Sequence, residues 1–589
     1  MKMMKKILLG LLIVLSFTRC SDVLDIENLS TYNPEVVWGS EASANAYVAN
    51  LYPLFGNWSV WADRGTDQTA GIDWYEGRIT LSNTQYRNWN YSRIRSINQV
   101  IADVDDSPLD QDVKDFIKGQ ALTMRAWVYF GMVKYHGGVP YIMIPQDRYE
   151  DDLYVSRNST AECFDYIVQD LEDAIDLLPQ QIKNSSTDYG KIDGNFASAI
   201  KAKVLLYKAS PQFNPDNPWD NNYWNEAYTY NKSVYESLTS QGYALVEDYS
   251  RIALSERNSE VIFSVINSEP DKTANWDFGA RPGSVSRDAA HVVPSWEFVK
   301  RYPMKDGKLY SDPTSAYHKT DDEFLQTYWE NRDPRFEKSI LWNGKLYPVA
   351  GKKEGYRQYT SVGIADEKDD FGINPNAGAS STNLDRFTGF YILKNCNLAL
   401  EQVDVMNYDI DYVVMRLAEV ILNYAEAANE AGHMTEALDM IKLLRARAGI
   451  EAGVDGKYGI NDASKETMRE VIIGERDIEL SFEGHRFWDL RRLRMLDRLD
   501  GSTVHGVEAI AINDDGTEMT MSEAREKALN NELTEVNFKY SVLQVPRNGV
   551  KENDLPDTYY FFPLLQSSID ANENLKQNVD WGGTFDPTL

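Results

Sequence analysis

Histidine and carboxylate side chains at catalytic spacing are scarce in this sequence. Only six histidines occur among 589 residues, and the chain contains neither an H-E-x-x-H motif, a G-x-S-x-G nucleophile elbow nor a Walker phosphate loop. The most enzyme-like group is His485 with Asp489, one helical turn apart and close to Glu479 and Glu483. Acids and arginines alternate along 475–492, however, and this spacing on a helix is typical of structural ion pairs. We therefore interpret the segment as part of a scaffold.

Acidic residues are numerous enough to supply other sites. A pair of carboxylates could hydrolyse a glycosidic bond, and with 90 acidic residues this alternative stays open, because the separation of two carboxylates depends on the fold. The acidic run 366–370 lacks the glycine and the glutamate that complete a calcium-binding loop. Histidines and cysteines do not occur at metal-ligand spacing. We expect no metal site and no cofactor.

Cysteine chemistry is limited as well. Besides Cys20, the chain contains only Cys163 and Cys396, too few to hold a chain of this length together by disulfides. Cys163 falls in the apolar stripe of a predicted helix over 159–178, which begins with a Ser159–Glu162 capping box. We expect buried free thiols, since a nucleophilic cysteine needs a histidine partner that the sequence does not offer.

Aromatic residues indicate binding instead. They make up 12% of the chain, with 14 tryptophans and 35 tyrosines. A Trp or Tyr ring can cover the apolar face of a sugar while neighbouring polar groups orient its hydroxyls. Most of these rings, including Trp127, Tyr424 and Trp488, fall on predicted core faces of helices. The exception is a set in two irregular segments that we expect to be exposed: Trp58, Trp61, Asp63, Asp67, Asp73, Trp74 and Tyr75 in the first, and Trp276, Asp277 and Arg281 in the second.

The charge balance excludes two classes of partner. With 60 basic and 90 acidic residues the net charge is −30 and the isoelectric point about 4.7. Nucleic-acid binding requires clustered Lys and Arg that displace counterions, and an anionic lipid surface requires the same excess of positive charge. We interpret the acidity as a solvated surface.

Helical periodicity dominates two parts of the chain, about 41–245 and about 411–499. In 416–449 apolar residues recur at helical spacing, Gly432 ends the first helix, and a second helix follows. Two helices joined by a tight glycine turn in about 34 residues have the length of a tetratricopeptide (TPR) repeat. Further helices are predicted at 41–54, 89–104, 112–135, 159–178, 195–210, 224–238 and within 465–499.

The residue pattern changes between about 248 and 411, where the helical periodicity is lost and Gly, Pro, Asn and Asp interrupt short aromatic runs. A tail with a DDG turn at 514–516 and mixed strands follows the last helices. We therefore predict a mostly α protein with a TPR-type scaffold of about four helix pairs. A large irregular lobe is inserted between the second and third pairs.

The N-terminus has the pattern of an export signal. Residues 1–6 are basic, 7–17 are apolar, and Cys20 follows. So short an apolar run is typical of a secretory signal rather than a membrane span. The position of Cys20 suggests a lipoprotein cleavage site, with 1–19 as the signal peptide and 20–34 as a lipidated tether. Cleavage elsewhere, with loss of Cys20, is the alternative.

Four blocks of sequence carry a family resemblance. They read LAEVILNYAEAANE with EALDMIKLLRARAGI at 417–450, GERDIELSFEGHRFWDLRRL at 474–493, YYFFPLLQSSIDANENLKQN at 559–578 and MRAWVYFGMVKYHGGVPY at 124–141. Together with CSDVLDIE at the start of the mature chain, they resemble the SusD/RagB family of nutrient-binding lipoproteins of the Bacteroidetes outer membrane. The blocks lie in order and span most of the mature chain.

The resemblance implies a SusD-like fold in a single domain over 35–589. Its helices would occupy about 41–245 and 411–499, its ligand lobe about 246–410 and its tail 500–589. The resemblance also implies a lipid anchor at Cys20 in the outer membrane, with the protein facing the exterior.

The resemblance further implies a binding protein rather than an enzyme. Such a protein captures an oligosaccharide or polysaccharide and delivers it to a SusC-like TonB-dependent transporter, over which it acts as a lid. The ligand surface would be formed by the two irregular segments, with the candidate residues Trp61, Asp67, Asp73, Trp74, Tyr75, Trp276, Asp277 and Arg281. A RagB-like peptide-binding role is the alternative, and a surface glycan-degrading enzyme is a third hypothesis.

Overall fold

A computed structural model describes most of the chain. The described residues are 33–59, 66–70, 79–82, 86–182, 185, 187–287, 292–361, 388–499, 504–545 and 555–589. The export signal and Cys20 lie outside these ranges, so their assignment stays a prediction.

Helices form most of the regular structure, as the sequence predicts. They are α1 Pro34–Val37, α2 Glu41–Ala49, α3 Tyr91–Val104, α4 Gln111–His136, α5 Thr160–Leu177, α6 Gly194–Ala209, α7 Tyr223–Ser240, α8 Trp276–Ala280, α9 Trp296–Arg301, α10 Asp321–Gln326, α11 Pro334–Ser339, α12 Leu417–Glu430, α13 Met434–Ala448, α14 Lys465–Glu479, α15 Arg486–Arg492, α16 Met521–Leu529 and α17 Gln566–Ala571.

Two predicted helices are shorter than expected. The helix predicted over 41–54 ends at Ala49, and a 3-10 turn at Tyr52–Phe55 follows, with Pro53 near its start. The helix expected within 465–499 is interrupted between α14 and α15, where Phe482 and Gly484 adopt positive φ angles of 61° and 77°. This tight turn separates α14 from α15, which carries the aromatic residues Phe487 and Trp488.

Helix α5 follows its sequence signals closely. The Ser159 side chain accepts from the backbone N–H of Glu162, and the Glu162 carboxylate accepts from the backbone N–H of Ser159. This capping box satisfies two N–H groups that a helix start leaves open. Cys163 is fully buried on the inner face, and both Cys163 and Cys396 are free thiols.

The long helices form a continuous stack around α12. Helix α3 packs on α4, α4 on α5, α5 on α6 and α6 on α7, and α7 packs directly on α12, which also contacts α13 and α14. The stack therefore continues across the chain between α7 and α12, which folds as an insertion beside it. The contacts establish the order of the stack, whereas the TPR-type pairing and the domain limits stay predictions.

Helix α12 differs from the one-sided helix that its sequence predicts, because every residue of it is buried. Its apolar stripe faces the core, and its polar stripe meets basic side chains of neighbouring helices. Glu419 pairs with Lys203, Asn423 with Arg476, Glu426 with Arg492 and Glu430 with Arg469. The stripe that would face water on a surface helix thus forms the centre of an ion-pair network.

Short strands connect the remaining segments. They are β1 Val261–Val265, β2 Ile340–Trp342, β3 Phe390–Ile392, β4 Tyr412–Arg416, β5 His505–Ala511 and β6 Phe538–Gln544, and they pair antiparallel as β1 with β4, β2 with β3 and β5 with β6. Strand β4 leads directly into α12, so it fixes the insertion to the helix stack. Within the described ranges, no helix is both long and apolar enough to cross a membrane.

Candidate functional site

A cavity of about 350 Å³ opens where α4, α6, β4 and the start of α15 meet. Its volume lies at the lower end of the range for small-molecule sites. One part of its lining is aromatic, and these residues are Tyr86, Trp127, Tyr135, Tyr412, Phe487 and Trp488. The other part is charged or titratable, and these residues are Lys134, Lys203, Arg416, Glu419, Glu483 and His485.

Helix α4 supplies one wall because Trp127 and Lys134 stand seven positions apart, close to two helical turns. The Lys134 ammonium lies 4.2 Å from the centre of the Trp488 ring and 4.9 Å from that of Phe130. The Tyr135 ring meets the Trp488 ring edge to face at 4.9 Å. Helices α4 and α15 therefore hold each other's cavity side chains in place.

A stack of rings supports the neighbouring wall. Tyr86 lies parallel to Phe562 and to Phe487, with centroids 5.0 Å and 5.8 Å away. The Arg491 guanidinium lies 3.8 Å from the centre of the Phe562 ring and donates to the backbone carbonyl of Tyr559. These contacts immobilise the rings that face the cavity, which lowers the ordering cost of binding a ligand there.

Two ion pairs occupy the charged wall. The Lys203 ammonium lies 2.7 Å from Glu419, and Arg416 donates to both oxygens of Glu483 at 2.8 Å. Burial raises the pKa of Glu483, but the charges of Arg416 and Lys394 outweigh this effect and lower it to about 2. Both carboxylates are ionised at neutral pH, because the pKa of Glu419 is lowered as well: burial raises it, and the charge of Lys203 outweighs the burial.

His485 completes the charged wall as a neutral imidazole. Its Nε2 atom lies 3.8 Å from the Glu419 carboxylate. Burial lowers the pKa of His485 to about 4, although the negative charge of Glu419 acts in the opposite direction. A neutral imidazole can both donate and accept a hydrogen bond, as recognition of hydroxyl groups requires.

The cavity is suited to binding rather than to glycoside hydrolysis. A glycosidase needs one carboxyl group whose raised pKa keeps it protonated as the general acid, but Glu419 and Glu483 both have lowered pKa values and cationic partners. In the described part of the chain, no group of three or more His, Cys, Asp or Glu residues is placed to hold a metal ion.

The structure describes only some of the ligand-binding residues that were predicted from the sequence. Trp61, Asp63, Asp73, Trp74 and Tyr75 lie outside the described residues, and their ligand role stays a prediction.

Asp67 is described, and its carboxylate already accepts from Arg486 at both oxygens, at 2.8 and 2.7 Å. Arg301 lies 3.2 Å away on the other side. The position of Asp67 indicates that it anchors its segment to the scaffold.

The prediction that Trp276, Asp277 and Arg281 lie on an exposed surface is wrong. Only 2% of Trp276 is exposed, and its indole N–H donates to the Lys394 carbonyl at 2.9 Å. Asp277 and Arg281 are fully buried and form an ion pair with a separation of 2.6 Å. The Gly, Pro and Asn residues of this region indicate short elements of secondary structure, but they do not indicate exposure. Here the short helix α8 packs into the core of the lobe.

The same correction applies to Trp58, which is 7% exposed. Its ring centre lies 5.3 Å from that of Trp276, and its indole N–H donates to the Asp411 carbonyl. The two irregular segments therefore meet, as the family resemblance implied, but Trp58 and Trp276 meet in the interior rather than on an exposed platform.

Sequence reasoning assigned Trp127 and Trp488 to core faces and so missed the cavity. Both rings pack against the core and are only half-buried, because one side of each lines the cavity. The available signal was Lys134, a charged residue on the same face as Trp127. A cation on a predicted core face requires either a buried partner or an opening.

Comparisons with known proteins show the family to which the chain belongs. The model of the SusD family matches residues 259–581, more than half of the sequence. The chain belongs to the SusD family. A second family model, described as starch-binding associating with outer membrane, matches residues 43–206.

Individual members of the SusD family show the same relationship. The SusD-like protein P38 of Formosa agariphila is 23% identical over 520 residues, which cover 84% of this chain and 92% of that protein. The crystal structure of a SusD-like protein from Bacteroides fragilis superposes with a TM-score of 0.70 at 22% identity, covering 93% of this chain and 98% of that one. A SusD-like carbohydrate binding protein from the same species has a TM-score of 0.69 at 19% identity, with coverages of 92% and 100%. These similarities show the SusD-like fold.

Proposed function

We propose that this protein is a SusD-family surface lipoprotein that binds an oligosaccharide or polysaccharide in the cavity between α4 and α15. The observation that carries the proposal is the combination of Trp127, Trp488 and Tyr86 with fixed polar groups around one space of about 350 Å³. Membership of a family that includes carbohydrate-binding proteins supports it.

The chemistry of the lining suits a sugar. An indole or phenol ring buries the apolar C–H face of a pyranose, and the hydroxyls around the ring need donors and acceptors in fixed positions. The Lys203–Glu419 pair and the neutral His485 supply both kinds of group. Lys203 lies on α6, Glu419 on α12 and His485 directly before α15, so little ordering is needed when the ligand binds.

Delivery of the ligand to a membrane transporter is the second part of the proposal. The protein would be anchored by a lipid at Cys20 in the outer membrane, face the exterior and cover a SusC-like TonB-dependent transporter as a lid. The sequence of the first 20 residues and the family model described as associating with outer membrane support this arrangement.

A glycan array probed with the purified protein tests the binding proposal. We expect a small group of oligosaccharides that share a backbone linkage to bind, and calorimetry should then give one site per chain. Binding to a peptide library with no glycan bound would contradict the proposal and favour the peptide-binding alternative.

Extraction of native membranes in mild detergent tests the partner proposal. Pull-down on a tag at the C-terminus of the protein should recover a barrel protein of larger mass, and Cys20→Ala should release the protein from the membrane. Recovery of the protein alone, or continued membrane attachment of the Cys20→Ala form, would contradict the lid or the anchor, respectively.

A further inference from the structure

The ammonium group of Lys134 has no acidic partner in the described part of the chain. It contacts only rings there: those of Trp488 at 4.2 Å, Phe130 at 4.9 Å and Tyr207 at 5.8 Å. A cation over aromatic faces gains some electrostatic attraction, but this is smaller than the cost of removing an ammonium from water without a counter-charge. Lys134 therefore faces the cavity as an incompletely compensated positive charge.

Neighbouring lysines are compensated, which makes Lys134 the exception in its surroundings. Lys203 pairs with Glu419 at 2.7 Å on the opposite wall, and Lys201 pairs with Glu172 at the same distance. Lys201 also lies over an aromatic ring, that of Tyr230 at 4.3 Å. Contact with a ring thus does not replace an acidic partner elsewhere on these helices.

A second cation lies behind the aromatic wall. Arg491 is fully buried, and its Nε and Nη1 atoms have no hydrogen-bond partner within the described ranges. Its guanidinium contacts the rings of Phe562 and Phe487, at 3.8 Å and 5.1 Å, and no described carboxylate pairs with it. Burial lowers the pKa of Arg491 to about 9, so the group still carries its charge at neutral pH.

The charges around the cavity therefore do not cancel. Arg416 pairs with Glu483 and also with Glu260 and Glu479, and Glu483 is shared with Lys394. Lys203 pairs with Glu419, and His485 is uncharged at neutral pH. Each of these cations thus has a carboxylate partner. Lys134 and Arg491 remain without a described carboxylate partner. Arg491 is positive at neutral pH, and Lys134 is positive in its protonated form. The net charge of −30 lies mainly on the solvated surface, whereas inside a concave site with low-dielectric walls the nearest charges dominate the potential.

We propose that the cavity selects an acidic sugar, whose carboxylate or sulfate oxygen pairs with the ammonium of Lys134 while its ring stacks on Trp488. This inference rests on the proposed function and names the class of glycan that the site takes. The ligand supplies the counter-charge that the described protein groups lack.

Proton uptake should accompany such binding. Burial, and next the charge of Lys203, lower the pKa of Lys134 to about 7, although the charge of Glu419 acts in the opposite direction. The free cavity therefore holds a partly deprotonated amine. An oxyanion beside the ammonium raises this pKa again. At a pH slightly above neutral, binding of an acidic sugar therefore draws a proton from the buffer, whereas a neutral sugar does not.

Calorimetry with matched ligand pairs tests the inference. The probes are tetragalacturonate with its methyl ester, and a sulfated carrageenan tetrasaccharide with its desulfated form, so that each pair shares one sugar backbone and only one member carries the negative charges. The variants are Lys134→Met, which removes the charge at similar length, Lys134→Arg, which keeps it, and Lys201→Met, the matched control on α6. Each titration is repeated in two buffers of different ionisation enthalpy to measure proton uptake.

We expect at least one acidic probe to bind tenfold or more tightly than its neutral counterpart, with proton uptake. Lys134→Met should remove most of this preference and the uptake, whereas Lys134→Arg and Lys201→Met should keep the preference. Thermal unfolding should show that Lys134→Met is folded, because Lys134 is half-buried and methionine keeps a side chain of similar length.

Equal affinity for charged and neutral probes, failure of every acidic probe to bind, or an unchanged preference in Lys134→Met would overturn the inference. In each of these cases, neutral glycans bound on the array would leave the proposed glycan-binding function standing. Absence of binding to any glycan, charged or neutral, would overturn both.

Discussion

Glu426 on α12 and Arg492 on α15 form a buried ion pair, in which the Nη2–Oε2 distance is 2.7 Å. The side chains are 2% and 0% exposed. This pair fixes α15 to the central helix of the stack, and α15 in turn carries the Phe487 and Trp488 rings of the cavity. Arg492 belongs to the block at 474–493 that resembles the SusD/RagB family. This block thus has a structural role in positioning the proposed ligand site.

Replacing Arg492 by Met should destabilise the protein strongly. The change leaves the carboxylates of Glu426 and Asp489 short of a partner in the interior, and breaking a buried pair in this way costs about 3–5 kcal/mol. Urea unfolding measures the loss. Arg498→Met is the control, because Arg498 and Glu470 are 40% and 57% exposed and such a pair contributes at most about 1 kcal/mol. Equal effects of the two substitutions would contradict the structural role of the network.

Trp276→Ala should now behave as a core substitution. The indole is 2% exposed and packs against Trp58, so its removal leaves a cavity and should cost about 3–5 kcal/mol. Calorimetry at a temperature where the variant is folded should show unchanged glycan affinity, because Trp276 does not line the site. Weaker binding without a loss of stability would instead support the exposed platform that the sequence suggested.

Trp74→Ala tests the sequence-based candidates that the structure does not describe. If Trp74 covers a sugar ring as predicted, its loss should weaken glycan binding and leave thermal unfolding nearly unchanged. Affinity by calorimetry and the melting temperature are measured on the same sample. An unchanged affinity would remove Trp74 from the site, and a large drop in melting temperature would show that the ring is buried.

Acid should destabilise the protein through His136. Its Nε2 atom accepts from the Asn88 N–H and its Nδ1 atom donates to the Phe562 carbonyl, so the buried ring is neutral. Burial lowers its pKa to about 4, against about 6.5 in the unfolded chain. Between these values the unfolded state binds more protons, so the stability falls as the pH decreases through this window, by about 3 kcal/mol in total.

Urea unfolding at about pH 7.5 and about pH 4.5 measures this dependence. His136→Gln should be less stable than the wild type at the higher pH and should lose about 2–3 kcal/mol less between the two conditions. His433→Gln, at an exposed helix start, should keep the wild-type dependence. The same dependence in wild type and His136→Gln would contradict the role of His136.

The sequence predicted the helices well because many of them carry local signals, such as the capping boxes of α5 and α14 and the glycines that end α4 and α13. It did not predict that α12 is buried on all sides. The residues Glu419, Asn423, Glu426 and Glu430 have the spacing of a solvent-facing stripe, and their basic partners come from helices distant in sequence. Periodicity within one helix holds no information about the charges on another.

The candidate site was harder to predict for a related reason. Frequent Gly, Pro, Asn and Asp without helical periodicity indicate short elements of secondary structure. The buried Trp276 shows that such an element can lie in the core. Conversely, Trp127 and Trp488 lie on regular helices and still line a cavity, because α4, α6, β4 and α15 leave a space between them. Exposure at these positions depends on the packing of four elements, which local patterns do not determine.

Glycan affinity of the Trp488→Ala variant tests the central claim most directly. With a glycan chosen from the array, calorimetry should show a loss of about 1–3 kcal/mol, by analogy with the stacking of nucleic-acid bases on aromatic rings, which is a roughly 5- to 150-fold weaker affinity. Trp224→Ala, a core substitution away from the cavity, should lower the melting temperature and keep the affinity of the folded protein. Wild-type affinity in Trp488→Ala would contradict the assignment of this cavity as the glycan site.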